Sequence, residues 1–147
     1  MPRSQAACSL WAKRTDTPSG CIAHPLICHL IDVAEVTRLM WEEAVPPAAR
    51  ASIAAALGMD ATNAGRWLTL WAGLHDIGKA SPAFQQQLPH ARVPHGTISA
   101  LTIPALLTSE PFNLTPSLAH QMAIVIGGHH GVFPRSLDLR QARQNTD

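Results

Sequence analysis

From Val93 to Pro134 the chain carries a single charged side chain, that of Glu110. Charged residues make up about a quarter of an average soluble domain, and they are already scarce in this chain, at 14% overall. A stretch so poor in charge is normally buried, so we expect it to form much of the core. A second interpretation stays open, in which this segment also lines a pocket and packs against a further molecule.

Apolar residues recur at intervals of three and four along most of the chain, which is the period of a helix. In the last clear helix this pattern predicts that Leu118, Met122, Val125 and Ile126 point inward. No alternating pattern typical of a strand is long enough to be convincing, so the predicted class is all-α. The predicted helices cover about residues 25–44, 48–57, 63–78, 81–87 and 98–107, and then 116–126.

The chain has 147 residues, which fits one domain or a fragment of a larger one. Residues 1–23 are predicted to be an irregular lead-in, because turn-forming residues are frequent there. Residues 24–134 are predicted to form the helical domain. Residues 135–147 are polar, and we expect a tail without a closing element, as in a shortened chain.

The net charge of +1 excludes a strong overall field for nucleic acid or for an anionic membrane. The three cysteines, Cys8, Cys21 and Cys28, form no C-x-x-C pair, which favours a reducing compartment. No secretory signal and no apolar stretch of membrane-spanning length is present. We therefore expect a cytoplasmic protein that makes no use of a membrane.

Eight histidines in this chain are an unusual number for its length, and His75-Asp76 is the most informative pair. His75 continues the apolar stripe of its helix, and Asp76 lies at the border of that face. A carboxylate there must be paired or bound to a cation, because burying it alone is costly. His and Asp together suit Mn, Fe, Co, Ni or Zn. The alternative is a core histidine beside an Asp76–Lys79 salt bridge.

His29 lies on the predicted apolar face of the first helix, with Val33 and Val36 on the same side. Asp32, one turn later, is predicted to accept the free ring N–H of His29 and so to fix its tautomer. A lone histidine in such a place is more often a satisfied core residue.

His129 and His130 follow the Gly127-Gly128 helix stop, and His95 precedes Gly96. Two adjacent imidazoles have no obvious packing role, and charging both is unfavourable. Metal ligation explains them simply, although a solvated loop with incidental histidines stays open. His24, His90 and His120 receive no role from the sequence.

Several blocks together resemble the HD-type nuclease domain of the type I CRISPR helicase-nuclease, a branch of the HD phosphohydrolases. H-D-x-G-K is shared by all HD phosphohydrolases, whereas K-A-S-P-A-F-Q and H-H-G-x-x-P are more specific. The blocks appear in the order typical of the family and cover about residues 10–134. They are L-W-A-K (10–13), H-P-L-I-C-H-L-I-D-V-A (24–34), L-H-D-I-G-K-A-S-P-A-F-Q (74–85), H-G-T-I-S (95–99) and H-H-G-V-F-P (129–134).

This resemblance implies a helical HD-domain bundle over residues 24–134 that holds two divalent transition-metal ions, namely Mn, Fe, Co or Ni, with Mg also acceptable. It implies that Asp76 bridges the two ions and, with Lys79, takes part in phosphodiester hydrolysis. The implied substrate is single-stranded DNA, and the implied partners are a helicase domain or subunit and an RNA-guided surveillance complex. The implied ligands are His29, His75 and Asp76 for one ion, and Asp76, His95, His129 and His130 for the other.

The family places one more aspartate ligand of the first metal far beyond the H-H-G block. Asp138 follows His130 too closely to take that role, and no helicase motif follows before Asp147. The sequence therefore predicts a C-terminally shortened domain whose first metal group lacks one ligand.

Two other functions remain open from the sequence. The first is an HD-family phosphohydrolase that acts on a nucleotide or another small phosphoester, for which a tight pocket is expected. The second is a degenerate, non-catalytic fragment that binds a partner through the uncharged segment between Val93 and Pro134.

Overall fold

Residues 10–86 and 93–144 are described by the structure, which is a computed structural model. The first nine residues of the predicted lead-in, which include Cys8, lie outside the described residues. His90 lies outside them as well. No helix in the described ranges is long and apolar enough to cross a bilayer.

The predicted irregular lead-in is wrong where the structure describes it. Strand β1 (Trp11–Thr17) pairs antiparallel with β2 (Gly20–Pro25), and the turn between them places Thr17 opposite Gly20. The sequence pattern missed this hairpin because most of its side chains are exposed on both faces, so no apolar alternation develops. The buried Ala12 attaches the hairpin to the helices.

Helix α1 (Leu26–Leu39) begins directly after Pro25 and continues into a π-helical turn (Met40–Ala44). The ring of Trp41 in this turn is buried against helix α3 (Ala61–Leu74), where Gly65 leaves it room. A Cβ atom at Gly65 would lie 2.5 Å from the indole ring. Helix α2 (Pro47–Ala56) closes this small cluster with Ala54.

Asp60 caps the N-terminus of α3, three residues before the predicted helix start at residue 63. The Asp60 carboxylate accepts a hydrogen bond of 2.9 Å from the backbone N–H of Asn63. Both residue types are good caps, so the sequence placed the helix start one turn too late. At its other end α3 stops at Leu74 rather than at Gly78, and a 3₁₀ turn (Ile77–Ala80) leads into the short helix α4 (Pro82–Gln85).

The expectation that the charge-poor segment forms the core is confirmed. Helix α5 (His95–Thr108) packs along α6 (Pro116–Gly127), and the buried cluster between them includes Ile103, Leu107 and Ile126. The helices meet most closely at Gly96 and Gly127, where a Cβ on either glycine would lie within about 2.5 Å of the other's carbonyl oxygen.

Two of the four residues predicted to point inward from α6 are exposed instead. Leu118 is 46% exposed and Val125 is 62% exposed, whereas Ala119 and Ala123 are fully buried. Ala119 and Ala123 pack in one buried cluster with Ile103 and Leu107 of α5, so the face of α6 that meets α5 is the one that carries the alanines. Helical period alone could not choose the correct face, because α6 is apolar on several sides.

The predicted polar tail is also wrong over its described part, because residues 136–144 form helix α7 (Ser136–Gln144). The Asp138 carboxylate accepts a hydrogen bond of 2.8 Å from the backbone N–H of Arg135, which satisfies one free donor at the helix start. Ala142 is buried at the contact with the rest of the fold. With seven helices and one two-stranded ribbon among the described residues, the all-α prediction is confirmed.

The Asp60 cap predicts a pH-dependent contribution to stability. Hydrogen bonding from the Asn63 backbone lowers the pKa of Asp60, so its contribution is present above about pH 4 and is lost as the pH falls through the folded-state pKa. We expect Asp60→Ala to lower the melting temperature at pH 7 but to have little effect near pH 2. Melting followed by circular dichroism checks this, with Asp60→Asn as the control that keeps a cap at every pH. An equal loss at both pH values for Asp60→Ala would contradict this account.

Candidate metal centre

The buried carboxylate of Asp76 is the point at which five histidines and one lysine meet. Asp76 is only 3% exposed and lies between the end of α3 and the 3₁₀ turn. The surrounding side chains come from separated parts of the chain, so the fold alone brings them together. They are His29 from α1, His75 after α3, Lys79 in the 3₁₀ turn, His95 at the start of α5, and His129 and His130 after α6.

One carboxylate oxygen of Asp76, Oδ2, faces His29, His75 and Lys79. The Nε2 atoms of the two histidines lie 2.9 and 3.2 Å from it, and Lys79 Nζ lies at 2.6 Å. The Asp76–Lys79 salt bridge of the alternative interpretation is therefore present, but in the same place as the imidazoles. The two interpretations of His75-Asp76 are compatible.

The other oxygen, Oδ1, faces the second set of histidines. His95 Nε2 lies 3.1 Å and His129 Nε2 lies 3.3 Å from Asp76 Oδ1. The Nε2 atom of His130 lies 2.9 Å from that of His95 and extends this set toward the surface.

Backbone carbonyls fix the tautomers of two of these rings. Nδ1 of His75 lies 2.7 Å from the carbonyl oxygen of Ala72, and Nδ1 of His129 lies 2.9 Å from that of Ile126. Because a carbonyl oxygen only accepts, each Nδ1 must carry the proton. In the neutral rings the lone pair is therefore on Nε2, the atom that faces Asp76, and this is the usual arrangement around metal-binding histidines.

Two buried atoms at this centre are suited to binding a cation but not to hydrogen bonding with each other. Asp76 Oδ1 and His129 Nε2 are both buried without a hydrogen-bond partner, although they lie 3.3 Å apart. In the neutral His129 both atoms present lone pairs, so neither can donate to the other. A cation would satisfy both atoms, and an imidazole–carboxylate set is a common choice for divalent transition metals.

The donors form two groups that share Asp76. One contains His29, His75 and Asp76, and the other contains Asp76, His95, His129 and His130. Within each group all ligand atoms lie within 4.8 Å of one another. This grouping is the one that the sequence resemblance implied.

Burial and charge act on the protonation of these side chains in opposite directions. Burial favours the neutral acid of Asp76, but the neighbouring His75, His95 and Lys79 side chains outweigh it and hold the pKa of Asp76 well below its usual range. Burial lowers the pKa values of His29 and His129, which favours the neutral rings. At His75 burial acts in the same direction, but the Asp76 carboxylate outweighs it and the pKa is raised.

Ser99, a residue that the sequence reasoning did not select, connects α5 to the turn that carries Asp76. Its buried hydroxyl accepts from the Gly78 backbone N–H at 2.9 Å and donates to the His75 carbonyl at 3.0 Å. Gly78 is required for this contact, since a Cβ there would lie 2.0 Å from the His95 carbonyl oxygen. Ser99 belongs to the H-G-T-I-S block, which was the available signal.

Gln85 was missed as well, and it ties the hairpin to the same turn. Its amide nitrogen donates to the carbonyls of Lys79 and Trp11, at 2.6 and 2.9 Å, and its oxygen accepts from the Trp11 backbone N–H at 3.1 Å. Phe84 packs its ring between Trp11 and His95.

The remaining candidates lie apart from the six donors. The structure gives Asp32 a different partner from the predicted His29, because its carboxylate lies 3.4 Å from His24 Nε2. The His24 ring in turn contacts the ring of His29 edge-on. His120 is exposed on α6. Asp138 pairs with Arg135 and belongs to neither donor group, as its sequence position predicted.

Known proteins are similar to this chain over almost its whole length. A family model described as "Cas3, HD domain" matches residues 11–147. A CRISPR-associated endonuclease/helicase Cas3 from Thermus thermophilus is 32% identical, over 99% of this chain and 17% of the relative. A CRISPR-associated nuclease/helicase Cas3 from Streptococcus thermophilus is 31% identical, over 82% of this chain and 16% of the relative.

The fold has a solved counterpart in the crystal structure of T. fusca Cas3-ATP. The TM-score is 0.72 at 31% sequence identity, and the match covers 86% of this chain and 15% of that one. The predicted HD-domain bundle is therefore confirmed. The chain spans about a sixth of the length of the curated relatives that it matches.

Because Asp76 belongs to both donor groups, we expect substitutions at Asp76 and at the histidines to weaken metal binding in different ways. We expect Asp76→Ala to weaken Mn²⁺ or Ni²⁺ binding to both donor groups by about 100-fold or more, because it removes the common ligand. His29→Ala removes a ligand of one group only, so one class of binding should persist. Isothermal titration calorimetry measures both effects.

His120→Ala is the matched control for these titrations, because that histidine is exposed and belongs to neither donor group. Circular dichroism shows whether each variant keeps its helices. Wild-type stoichiometry and affinity in a folded Asp76→Ala would remove Asp76 from the centre.

Proposed function

The chain belongs to the Cas3 HD-domain family, and we propose that it is a metal-dependent nuclease domain that degrades single-stranded DNA in type I CRISPR antiviral defence. The observation that supports this most directly is the set of donors around Asp76, with buried lone pairs on Asp76 Oδ1 and His129 Nε2. We propose that this set holds two divalent transition-metal ions, Mn, Fe, Co or Ni, with Mg also acceptable.

When bound, such ions act as Lewis acids on a phosphodiester and lower the pKa of water. The protein's own part is to present five imidazoles and one ionised carboxylate in a fixed arrangement. The carbonyls of Ala72 and Ile126 orient the rings of His75 and His129. The depressed pKa of Asp76 keeps its carboxylate ionised throughout the neutral range.

Lys79 is proposed as the second catalytic side chain beside Asp76. Its ammonium group lies 2.6 Å from Asp76 Oδ2 and is largely buried, so its position is well defined. An ammonium group carries three donors, and we propose that it also stabilises the negative charge that develops on the phosphate. Gln85 supports this position through its hydrogen bond to the Lys79 carbonyl.

The proposed helicase partner follows from the relatives, which are nuclease/helicase proteins about six times the length of this chain. We propose that a helicase domain or subunit supplies the single strand and that an RNA-guided surveillance complex recruits it. We place the protein in the cytoplasm, in keeping with the two exposed free cysteines, Cys21 and Cys28.

The two alternative functions fit less well. A phosphohydrolase for small phosphoesters would need a closed pocket, whereas the space beside His130 is an open groove. A degenerate, non-catalytic fragment does not require all six donors to lie together, as they do here. Half of α5 and the inner face of α6 are also buried, which leaves only part of the uncharged segment for such a partner.

The nuclease proposal predicts metal-dependent cleavage of a circular single-stranded DNA. With Mn²⁺, Co²⁺ or Ni²⁺ present, the chain should linearise and then degrade the circle. Asp76→Ala and His75→Ala should reduce the rate about 100-fold or more while the helical fold survives. Gel electrophoresis of the products over time measures this.

His120→Ala serves again as the control and should cut at the wild-type rate. Cleavage that continues in EDTA, or that survives Asp76→Ala, would contradict the proposal. A wild-type chain that binds these metals and cuts no DNA would favour the non-catalytic alternative.

A further inference from the structure

A groove opens beside the metal centre and shares a wall with it. The groove has a volume of about 810 Å³ and lies between α5, the segment that follows α6, and α7. His130, the outermost donor of the centre, lines it. Gly96 and Gly127, where α5 and α6 meet, also line it.

Phe133 gives this groove an aromatic surface that is both fixed and exposed. Its ring packs against Gly128, where a Cβ would lie 2.3 Å from the ring carbon Cδ1. The side chain nevertheless remains 57% exposed. An exposed aromatic ring held in place by backbone contacts suits stacking on a nucleobase, because every base has a π-face.

Arg135 and Asp138 form an ion pair, and both residues line the same groove. The Arg135 guanidinium lies 3.1 and 3.2 Å from the two carboxylate oxygens of Asp138, which fixes its plane. A guanidinium has five donors, so donors beyond these two can serve a phosphate oxygen. Gln141 on α7 adds a carboxamide that can both donate and accept.

We propose that this groove binds a nucleobase of the substrate strand next to the phosphodiester held at the centre, with Phe133 as the stacking surface and Arg135 contacting the neighbouring phosphate. This inference rests on the proposed nuclease function. His130 belongs to the metal centre and also lines the groove. A strand whose phosphodiester lies at the Asp76 donors must therefore pass the edge of the groove as it leaves the centre, which points to the substrate strand as the occupant. An aromatic ring beside a guanidinium matches a base followed by a phosphate.

Fluorescence anisotropy in EDTA tests this with two probes, a short thymidine oligonucleotide and an abasic oligonucleotide of the same length. The wild-type chain should bind the thymidine oligonucleotide about tenfold more tightly than the abasic one. Phe133→Ala should remove this difference by lowering the affinity for thymidine to the abasic level, and Phe133→Tyr should restore it.

Val125→Ala is the matched control, since Val125 is an equally exposed apolar side chain on α6 that does not line the groove. It should keep the full preference for bases. Equal binding of the two probes by the wild-type chain, or a base preference that survives Phe133→Ala, would overturn the inference and leave the groove to another segment or partner.

Hydrolysis of bis(4-nitrophenyl) phosphate by the wild-type chain with Mn²⁺ tests the nuclease function separately. This diester carries no nucleobase, so its hydrolysis reports the centre without the base preference. Absent hydrolysis would count against the proposed function, while the anisotropy result still decides the role of the groove.

Discussion

The burial of one carboxylate, that of Asp76, constrains the rest of this structure. An ionised carboxylate removed from water is strongly unfavourable unless charges and donors surround it. The chain meets this requirement with five imidazoles and one ammonium group, drawn from four separate parts of the sequence. Because the carbonyls of Ala72 and Ile126 hold the ring protons of His75 and His129 on Nδ1, Nε2 of each neutral ring carries a lone pair, and the same arrangement that accommodates the carboxylate also suits cations.

Close backbone contacts make this convergence possible. Gly78 lies against the start of α5, and Gly96 lies against Gly127 at the end of α6, at distances that no side chain would permit. Ser99 then joins the His75 and Gly78 backbone to α5 through two hydrogen bonds. These contacts bring His95 and His129 to the carboxylate from two different helices. The small residues of α5 and α6 therefore contribute to the geometry of the site as directly as the ligands do.

The sequence predicted which side chains meet around Asp76 more accurately than it predicted some elements of the fold. His75-Asp76 and His129-His130 were recognisable because polar, metal-binding side chains stood in apolar or glycine-rich surroundings. The hairpin of β1 and β2 was missed because its exposed faces leave no alternation, and α7 was missed because only Ala142 is deeply buried. Leu118 and Val125 were assigned to the wrong face because the distance between α5 and α6 is a tertiary property. Asp32 was paired with the wrong histidine because His24 lies on the unpredicted hairpin.

Crystals grown with Mn²⁺ and measured at a wavelength with strong manganese anomalous scattering would test the central claim most directly. We expect anomalous peaks on both sides of the Asp76 carboxylate, one among His29 and His75 and the other among His95, His129 and His130. Peaks located elsewhere, or an Asp76 carboxylate that contacts only Lys79 and the imidazoles at saturating Mn²⁺, would contradict it.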